Sequence, residues 1–142
     1  MATNNIIKCP DDRTRSLDVG ASKKPGDVAH AGGYYGVSLN GTGDYTQDPF
    51  VVGGDNGFTV SGIKPNANIE PNAHMTTLAL GGVWLLPVEG VVPETKVGTP
   101  VYAKPDDTLT LTADGATAFG YIYNNGEGNT ATASAVDIKG AI

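Results

Sequence analysis

The side chains that could carry acid–base or nucleophilic chemistry are few and far apart in this chain. His30 and His74 are the two histidines, the side chains best suited to act as bases near neutral pH. His30 falls in a predicted strand and His74 in a loop rich in Pro and Asn, and no nucleophile motif lies near either. Cys9, the single cysteine, has basic neighbours but lies in a segment with no predicted pocket. These residues do not predict a catalytic site, and we expect a protein that is not an enzyme.

Clusters of Asp, Asn and Gly raise the question of metal binding. The stretches DNG at 55–57, DD at 106–107 and DG at 114–115 contain oxygen ligands, but none has the spaced acidic ladder of a calcium loop. Turn chemistry accounts for them, because Asp and Asn tolerate left-handed backbone and bond to nearby backbone groups. Two histidines and one cysteine do not make a zinc site. We therefore expect no metal and no cofactor.

Composition and charge limit the classes of partner. The 142 residues are enough for one domain, and only 17% of them are charged, where about a quarter is usual. Five basic and three acidic residues leave +2 on residues 1–25, while four basic and twelve acidic residues leave −8 on the remainder. An acidic body argues against nucleic-acid binding, which depends on neutralising phosphates.

Cysteine usage and hydropathy indicate where the protein is made. A single cysteine excludes an intrachain disulfide. No apolar run approaches the roughly 18 residues of a membrane span, and the polar N-terminus lacks a signal-peptide core. We expect a protein that is made in the reducing cytosol and either stays there or is built into something assembled there, with no membrane partner.

Short alternating stretches predict an all-β fold. In TLTLT at 108–112, Leu109 and Leu111 share one face, and in AFGYIY at 118–123 the alternation predicts Phe119, Tyr121 and Tyr123 on one face. Turn signals separate these strands at short intervals. The pattern is typical of a small β-barrel or β-tulip-like sandwich.

The pattern of turns divides the chain into an arm and a body. Residues 1–25 lack either hydrophobic period and are expected to form a flexible N-terminal arm. Residues 26–142 are expected to form a single β domain with an enlarged loop region at about 41–74. Within that region, FVVGGDNGFTV supplies two short strand candidates around a Gly-Asp-Asn-Gly turn.

The order of motifs in the second half of the chain resembles a family of phage capsid cement or head decoration proteins. The stretches that carry the resemblance are KPGDVAHAGGYYGVSLN at 24–40, GGVWLLPVEG at 81–90, VGTPVYAKPDDTLTLT at 97–112, FGYIYNN at 119–125 and ATASAVDIKGAI at 131–142. Residues 41–74 and the first 24 depart from the family pattern.

The resemblance implies a structural role in a virion. Such proteins bind the outer surface of the expanded major capsid lattice and stabilise it against internal DNA pressure. It also implies a homo-oligomer, with a trimer favoured, whose N-terminal arm orders against the major capsid protein. The expected capsid contacts are arm residues: Ile6, Ile7, Lys8, Arg13, Arg15, Lys23 and Lys24. Deletion of residues 2–24 is then expected to leave the body folded and to weaken capsid binding.

The aromatic residues leave an alternative open, a β-sandwich carbohydrate- or receptor-binding module on a viral surface. Its site would lie in the loops at 41–57 and 63–74. Tyr34, Tyr45 and Trp84 would then line one open face, as aromatic rings do where they stack on sugars or partner proteins. The competing interpretation is that these rings pack between strands.

Overall fold

The structure is a computed structural model that describes residues 4–9, 13–66, 73–124, 126 and 128–138. Among these residues lie thirteen β-strands and a 3₁₀ turn at Gly54–Asn56. The strands are β1 Asn5–Ile7, β2 Thr14–Asp18, β3 Val28–Ala31, β4 Tyr34–Ser38, β5 Phe50–Val52, β6 Phe58–Val60, β7 Met75–Ala79, β8 Val83–Leu86, β9 Val88–Glu89, β10 Pro100–Ala103, β11 Leu109–Thr110, β12 Thr117–Ile122 and β13 Ser134–Ile138. No helix in the described part is long and apolar enough to span a bilayer.

Seven strands form the larger sheet, in the order β1-β8-β13-β12-β10-β11-β9. The pairs are antiparallel except for β9 with β11. β8 and β9 follow each other through Pro87 yet lie near opposite ends of this order, so the sheet curves strongly around its inner side. The all-β prediction is confirmed, and within the described residues the arrangement is a sandwich whose sheets do not close into a barrel.

A four-stranded sheet, in the order β2-β7-β4-β3, covers the larger sheet. Val37 and Ala79 from this sheet pack in one core with Trp84, Phe119 and Val136 from the larger sheet. Burial of these side chains on both sheets supplies the main hydrophobic stabilisation of the fold.

The N-terminal segment differs from its prediction. In its described part, β1 pairs with β8 and β2 pairs with β7, and Cys9 and Val19 are buried at 5% and 9% exposure. The expectation of a flexible arm is therefore wrong for these residues. An edge strand is held by backbone bonds to one neighbour, so it does not need an alternating apolar pattern that sequence reading could detect. Since a 2–24 deletion would remove two strands and part of the core, we expect it to unfold the body.

The region 41–74 contains the predicted hairpin. β5 and β6 pair antiparallel and form a third sheet of two strands. Residues 67–72 of the predicted loop lie outside the described residues. The sequence pattern FVVGGDNGFTV is therefore confirmed as a hairpin.

A β-bulge in β12 changes which aromatic residues face the core. Val101 and Tyr102 are consecutive in β10, but their partners in β12 are Gly120 and Ala118, so Phe119 is an extra residue. Phe119 is buried while Tyr121 is 42% exposed. The predicted single aromatic face is therefore wrong, because one inserted residue reverses the alternation.

Candidate protein-binding surfaces

An apolar patch crosses the outer face of the larger sheet. Ile7 is the register partner of Val83, which pairs with Asp137, which in turn pairs with Tyr121. Cross-strand partners lie on the same face of a sheet, so this row runs over four strands. The row faces away from the core, since Tyr121 and Asp137 are exposed, while Val83 within it is buried at 3% exposure.

A second row lies beside the first on the same face. Leu85 pairs with Ala135, and the Ala135 carbonyl accepts a hydrogen bond from the Tyr123 N–H. Leu85 and Tyr123 are 43% and 40% exposed, while Ala135 is buried beneath them. We call the outer patch the set of Ile7, Leu85, Tyr121, Tyr123 and the central Asp137. Exposed apolar side chains grouped on one sheet face can mark a contact surface.

The β5–β6 hairpin presents a second apolar surface. Phe50 pairs with Val60 and Val52 pairs with Phe58, so these four side chains share one face. Phe58 is 67% exposed, Phe50 and Val52 are exposed at 40% and 42%, and Val60 is half-buried. These four residues are the hairpin face. The opposite face carries Val51 and Thr59.

Charged side chains lie at both ends of the hairpin. Asp55 is in the exposed 3₁₀ turn at its tip, and Lys64 follows the last strand beyond its base. Neither forms an ion pair within the described residues. Both charges are therefore accessible to a partner on the hairpin face.

Asp107 joins three separate parts of the chain. One carboxylate oxygen accepts a hydrogen bond from Lys23 Nζ at 2.7 Å, and the other lies 2.5 Å from His30 Nδ1. The Asp107 side chain is only 11% exposed and that of Lys23 15%. The His30 ring also stacks on Tyr35, with centroids 4.8 Å apart. Because Asp107 follows β10 in the larger sheet and His30 is in β3 of the smaller one, the cluster holds the two sheets together.

The cluster of Lys23, His30 and Asp107 borders a cleft. A cleft of about 280 Å³ opens beside Lys23 and Asp107 and is also lined by Thr108 and Leu109. The carboxylate of Asp107 is already engaged by two partners, so the cluster has the form of a structural ion pair. In the part of the chain that the structure describes, no three His, Cys, Asp or Glu side chains are placed to hold a metal ion.

The predicted capsid-contact residues are placed in different ways. Ile6 and Ile7 are each 45% exposed on edge strand β1, followed by exposed Lys8. The Arg15 guanidinium lies 5.0 Å above the Tyr34 ring. Arg13 is exposed, and Lys24 makes an exposed ion pair with Asp48 at 3.4 Å. Lys23 is held by Asp107, so it stabilises the fold rather than facing a partner.

The aromatic platform expected for a carbohydrate-binding module is not formed. Trp84 is 1% exposed, and its Nε1–H donates to the Gly81 carbonyl at 2.9 Å. Tyr34 is half-buried beside Arg15. Tyr45, which is half-buried, lines a separate groove of about 470 Å³. The three rings do not share an open face, because Trp84 packs in the core between the sheets.

Polar groups around the Tyr45 groove form hydrogen bonds within the chain. The Asn66 side-chain amide donates to the carbonyls of Asn40 and Gly41. Nearby, the Asp44 carboxylate accepts hydrogen bonds from Ser22 and from Thr42, and these bonds lower the pKa of Asp44. The groove is therefore held by internal hydrogen bonds that order the 41–47 loop.

Sequence reasoning missed both apolar surfaces as binding sites. The sequence does contain part of the information for the hairpin face, because apolar residues alternate on either side of the turn, at Phe50, Val52, Phe58 and Val60. The outer patch was not, because it depends on strand register. Comparisons with protein-family models, curated proteins and solved structures found no match to this chain.

Proposed function

We propose that this protein is a structural phage head decoration protein. It binds the outside of an expanded major capsid lattice and stabilises the shell by adhesion. The order of motifs in the sequence is similar to that of the capsid cement family, and this resemblance supplies the class of partner. The proposal places the protein on the outer surface of the virion and gives it no catalytic role.

The outer patch is the observation that carries the proposal. It presents four exposed apolar side chains around the exposed carboxylate of Asp137, and its backbone is fixed by hydrogen bonds across four strands. A preorganised face loses little conformational entropy on binding, so its apolar area contributes to affinity efficiently. Such a surface fits a protein lattice better than it fits a small ligand, which prefers a concave pocket.

Residues of the N-terminal segment extend the proposed contact. Ile7 belongs to the outer patch, and Ile6 and Lys8 are its neighbours in sequence at the edge of the larger sheet. Arg13, Arg15 and Lys24 are further basic contacts in the proposal, while Lys23 is left out because Asp107 holds it. Exposed basic side chains outside the apolar part of a contact act more on the association rate and on salt dependence than on affinity.

Co-sedimentation with undecorated phage heads tests the proposal. Wild-type protein should bind expanded shells saturably and bind procapsids far more weakly. The double variant Leu85→Ser/Tyr123→Ser should weaken that binding at least about tenfold, because it removes two of the four exposed apolar side chains of the outer patch. Val92→Ser is the matched control, since Val92 is similarly exposed at 49% but lies outside the patch.

Circular dichroism of each variant shows whether it has folded. Absence of binding to both shell forms would refute the proposal. Equal loss in the Leu85/Tyr123 variant and in the Val92 control would refute the assignment of the outer patch. Tyrosine or tryptophan fluorescence that changes with added glycan, together with no shell binding, would favour a carbohydrate-binding module instead.

A further inference from the structure

The β5–β6 hairpin is a sheet of two strands with an uncovered apolar face. It pairs with neither of the larger sheets, and three of the four side chains of its face are at least 40% exposed. A two-stranded hairpin is marginally stable in water unless its apolar face packs against something. The hairpin face therefore needs a partner that is not provided by the described part of its own chain.

We propose that the hairpin face packs against the hairpin face of a second copy of this chain, in a two-fold contact that is distinct from the trimer implied by the family resemblance. This goes beyond the proposed shell contact, which uses the outer patch. Face-to-face packing of the two hairpins, running in opposite directions, would bury Phe50, Val52, Phe58 and Val60 of both copies in a small four-stranded sandwich. A two-fold contact of this kind uses the same patch on both subunits.

The charges at the two ends of the hairpin favour a second copy as the occupant. Asp55 is at the tip and Lys64 lies beyond the base, and both are exposed. In the antiparallel arrangement the tip of each hairpin lies over the base of the other. Each Asp55 then faces the Lys64 of the other copy, so two ion pairs flank the apolar centre. Charge complementarity of this kind selects the partner and its orientation.

The size of the surface predicts a weak dimer. The exposed parts of the four side chains amount to roughly 300 Å² per copy, against about 800 Å² per partner in a standard interface. Because a contact of this size is weak, we expect a dissociation constant on the order of 100 μM or higher in dilute solution. Copies held side by side on a shell would dimerise far more readily, because their local concentration reaches the millimolar range.

Sedimentation velocity from about 1 μM to 1 mM tests the dimer on the isolated protein. Phe58→Asp should weaken association at least about tenfold, because it places a charge in the apolar centre. Val51→Asp is the matched control, since Val51 is 61% exposed on the opposite face of the same hairpin and should leave association unchanged.

Charge reversal tests the arrangement of the two copies. Asp55→Lys and Lys64→Asp should each weaken self-association several-fold, because like charges then meet at both ends. An equimolar mixture of the two variants should form a heterodimer at least as tight as wild type, since every tip then meets a base of opposite charge. The same-chain double reversal should also restore the dimer.

Each of the following outcomes would overturn the inference: a wild-type monomer up to 1 mM, equal effects of Phe58→Asp and Val51→Asp, or no recovery in the mixed charge variants. Loss of shell binding by Phe58→Asp with unchanged self-association would identify the shell as the occupant and would also overturn it. The proposed function is tested separately, because the Leu85→Ser/Tyr123→Ser variant should lose shell binding and keep the dimer.

Discussion

Replacement of Asp107 by Ala tests whether its ion pairs hold the two sheets together. One Asp107 carboxylate oxygen accepts a hydrogen bond from Lys23 Nζ at 2.7 Å, and the other lies 2.5 Å from His30 Nδ1. The Asp107 side chain is 11% exposed. The variant would leave the largely buried ammonium of Lys23 without its carboxylate. Because a buried charge that loses its partner cannot regain full hydration, the folded state is destabilised.

The expected loss in the free energy of unfolding has two sources, the burial of the Lys23–Asp107 pair and the backbone conformation of Asp107. Removing one partner of a fully buried pair costs about 3–5 kcal/mol, and the remaining exposure of Lys23 reduces this to about 3 kcal/mol. Asp107 also has a φ of 68°. Ala in this left-handed conformation adds about 1 kcal/mol, which Gly would avoid. We therefore expect losses of about 4 kcal/mol for Asp107→Ala and about 3 kcal/mol for Asp107→Gly.

Urea denaturation followed by circular dichroism at pH 7 measures these losses. A loss of about 4 kcal/mol corresponds to a fall in Tm of roughly 12 °C for a domain of this size. Asp106→Ala is the control, because Asp106 is exposed and its carboxylate bonds the Thr108 N–H, so a much smaller loss is expected. Asp107→Ala within about 0.5 kcal/mol of wild type would refute the structural role of the cluster, and equal values for Ala and Gly would refute the backbone contribution.

Three further predictions concern single sites. Gly36→Ala should destabilise the fold by about 3 kcal/mol or prevent folding, because the added Cβ would lie 2.2 Å from a backbone oxygen of β7. Gly33→Ala is the control: its Cβ would meet nothing within 4 Å, so its Tm in thermal melts should be close to that of wild type. Hydrogen bonds, first of all from Ser22, lower the pKa of Asp44 in the folded state. Its contribution to the free energy of unfolding is therefore complete above the unfolded-state pKa of about 4, and it is lost as the pH falls through the lower folded-state pKa. Asp44→Asn should reduce stability at pH 7 by about 1–2 kcal/mol and flatten the acid dependence of the urea midpoint; an unchanged pH profile would contradict this. Cys9 is 5% exposed, so a thiol reagent should label it only as fast as the protein unfolds, and immediate labelling of native protein would count against its burial.

The sequence predicted those elements whose pattern is local. The hairpin was predicted from two apolar stretches around a Gly-rich turn, and both strands and the turn are present. The predicted TLTLT strand is shorter than expected, because only Leu109–Thr110 pair as β11, although Leu109 is buried and Leu111 packs against the core. Local alternation records which residues face inward but not where backbone pairing stops.

The features that sequence did not predict depend on contacts between distant segments. β1 pairs with β8 and β2 pairs with β7, in each case more than 50 residues away along the chain. The side chains of β1 and β2 therefore show little of the alternating pattern from which a strand is predicted. The bulge at Phe119 is defined by the register with β10. The outer patch needs the pairing of four strands to bring Ile7 onto the same face as Tyr121. Strand register over such separations is set by the whole fold.

Two weak surfaces on one rigid body can produce strong decoration without making the free protein aggregate. The outer patch and the hairpin face lie on different sheets, so in our proposals one subunit can contact a shell and a neighbour at the same time. With a dimer dissociation constant on the order of 100 μM and a local concentration of several millimolar on a lattice, each neighbour tightens attachment roughly tenfold or more. In dilute solution the same contact is mostly unoccupied. Binding to isolated capsid subunits should therefore be far weaker than binding to an assembled shell, and Phe58→Asp should remove the cooperativity of shell binding while leaving single-site attachment. Non-cooperative binding of the wild-type protein to the shell would contradict the prediction that contacts between hairpin faces strengthen attachment through the outer patch.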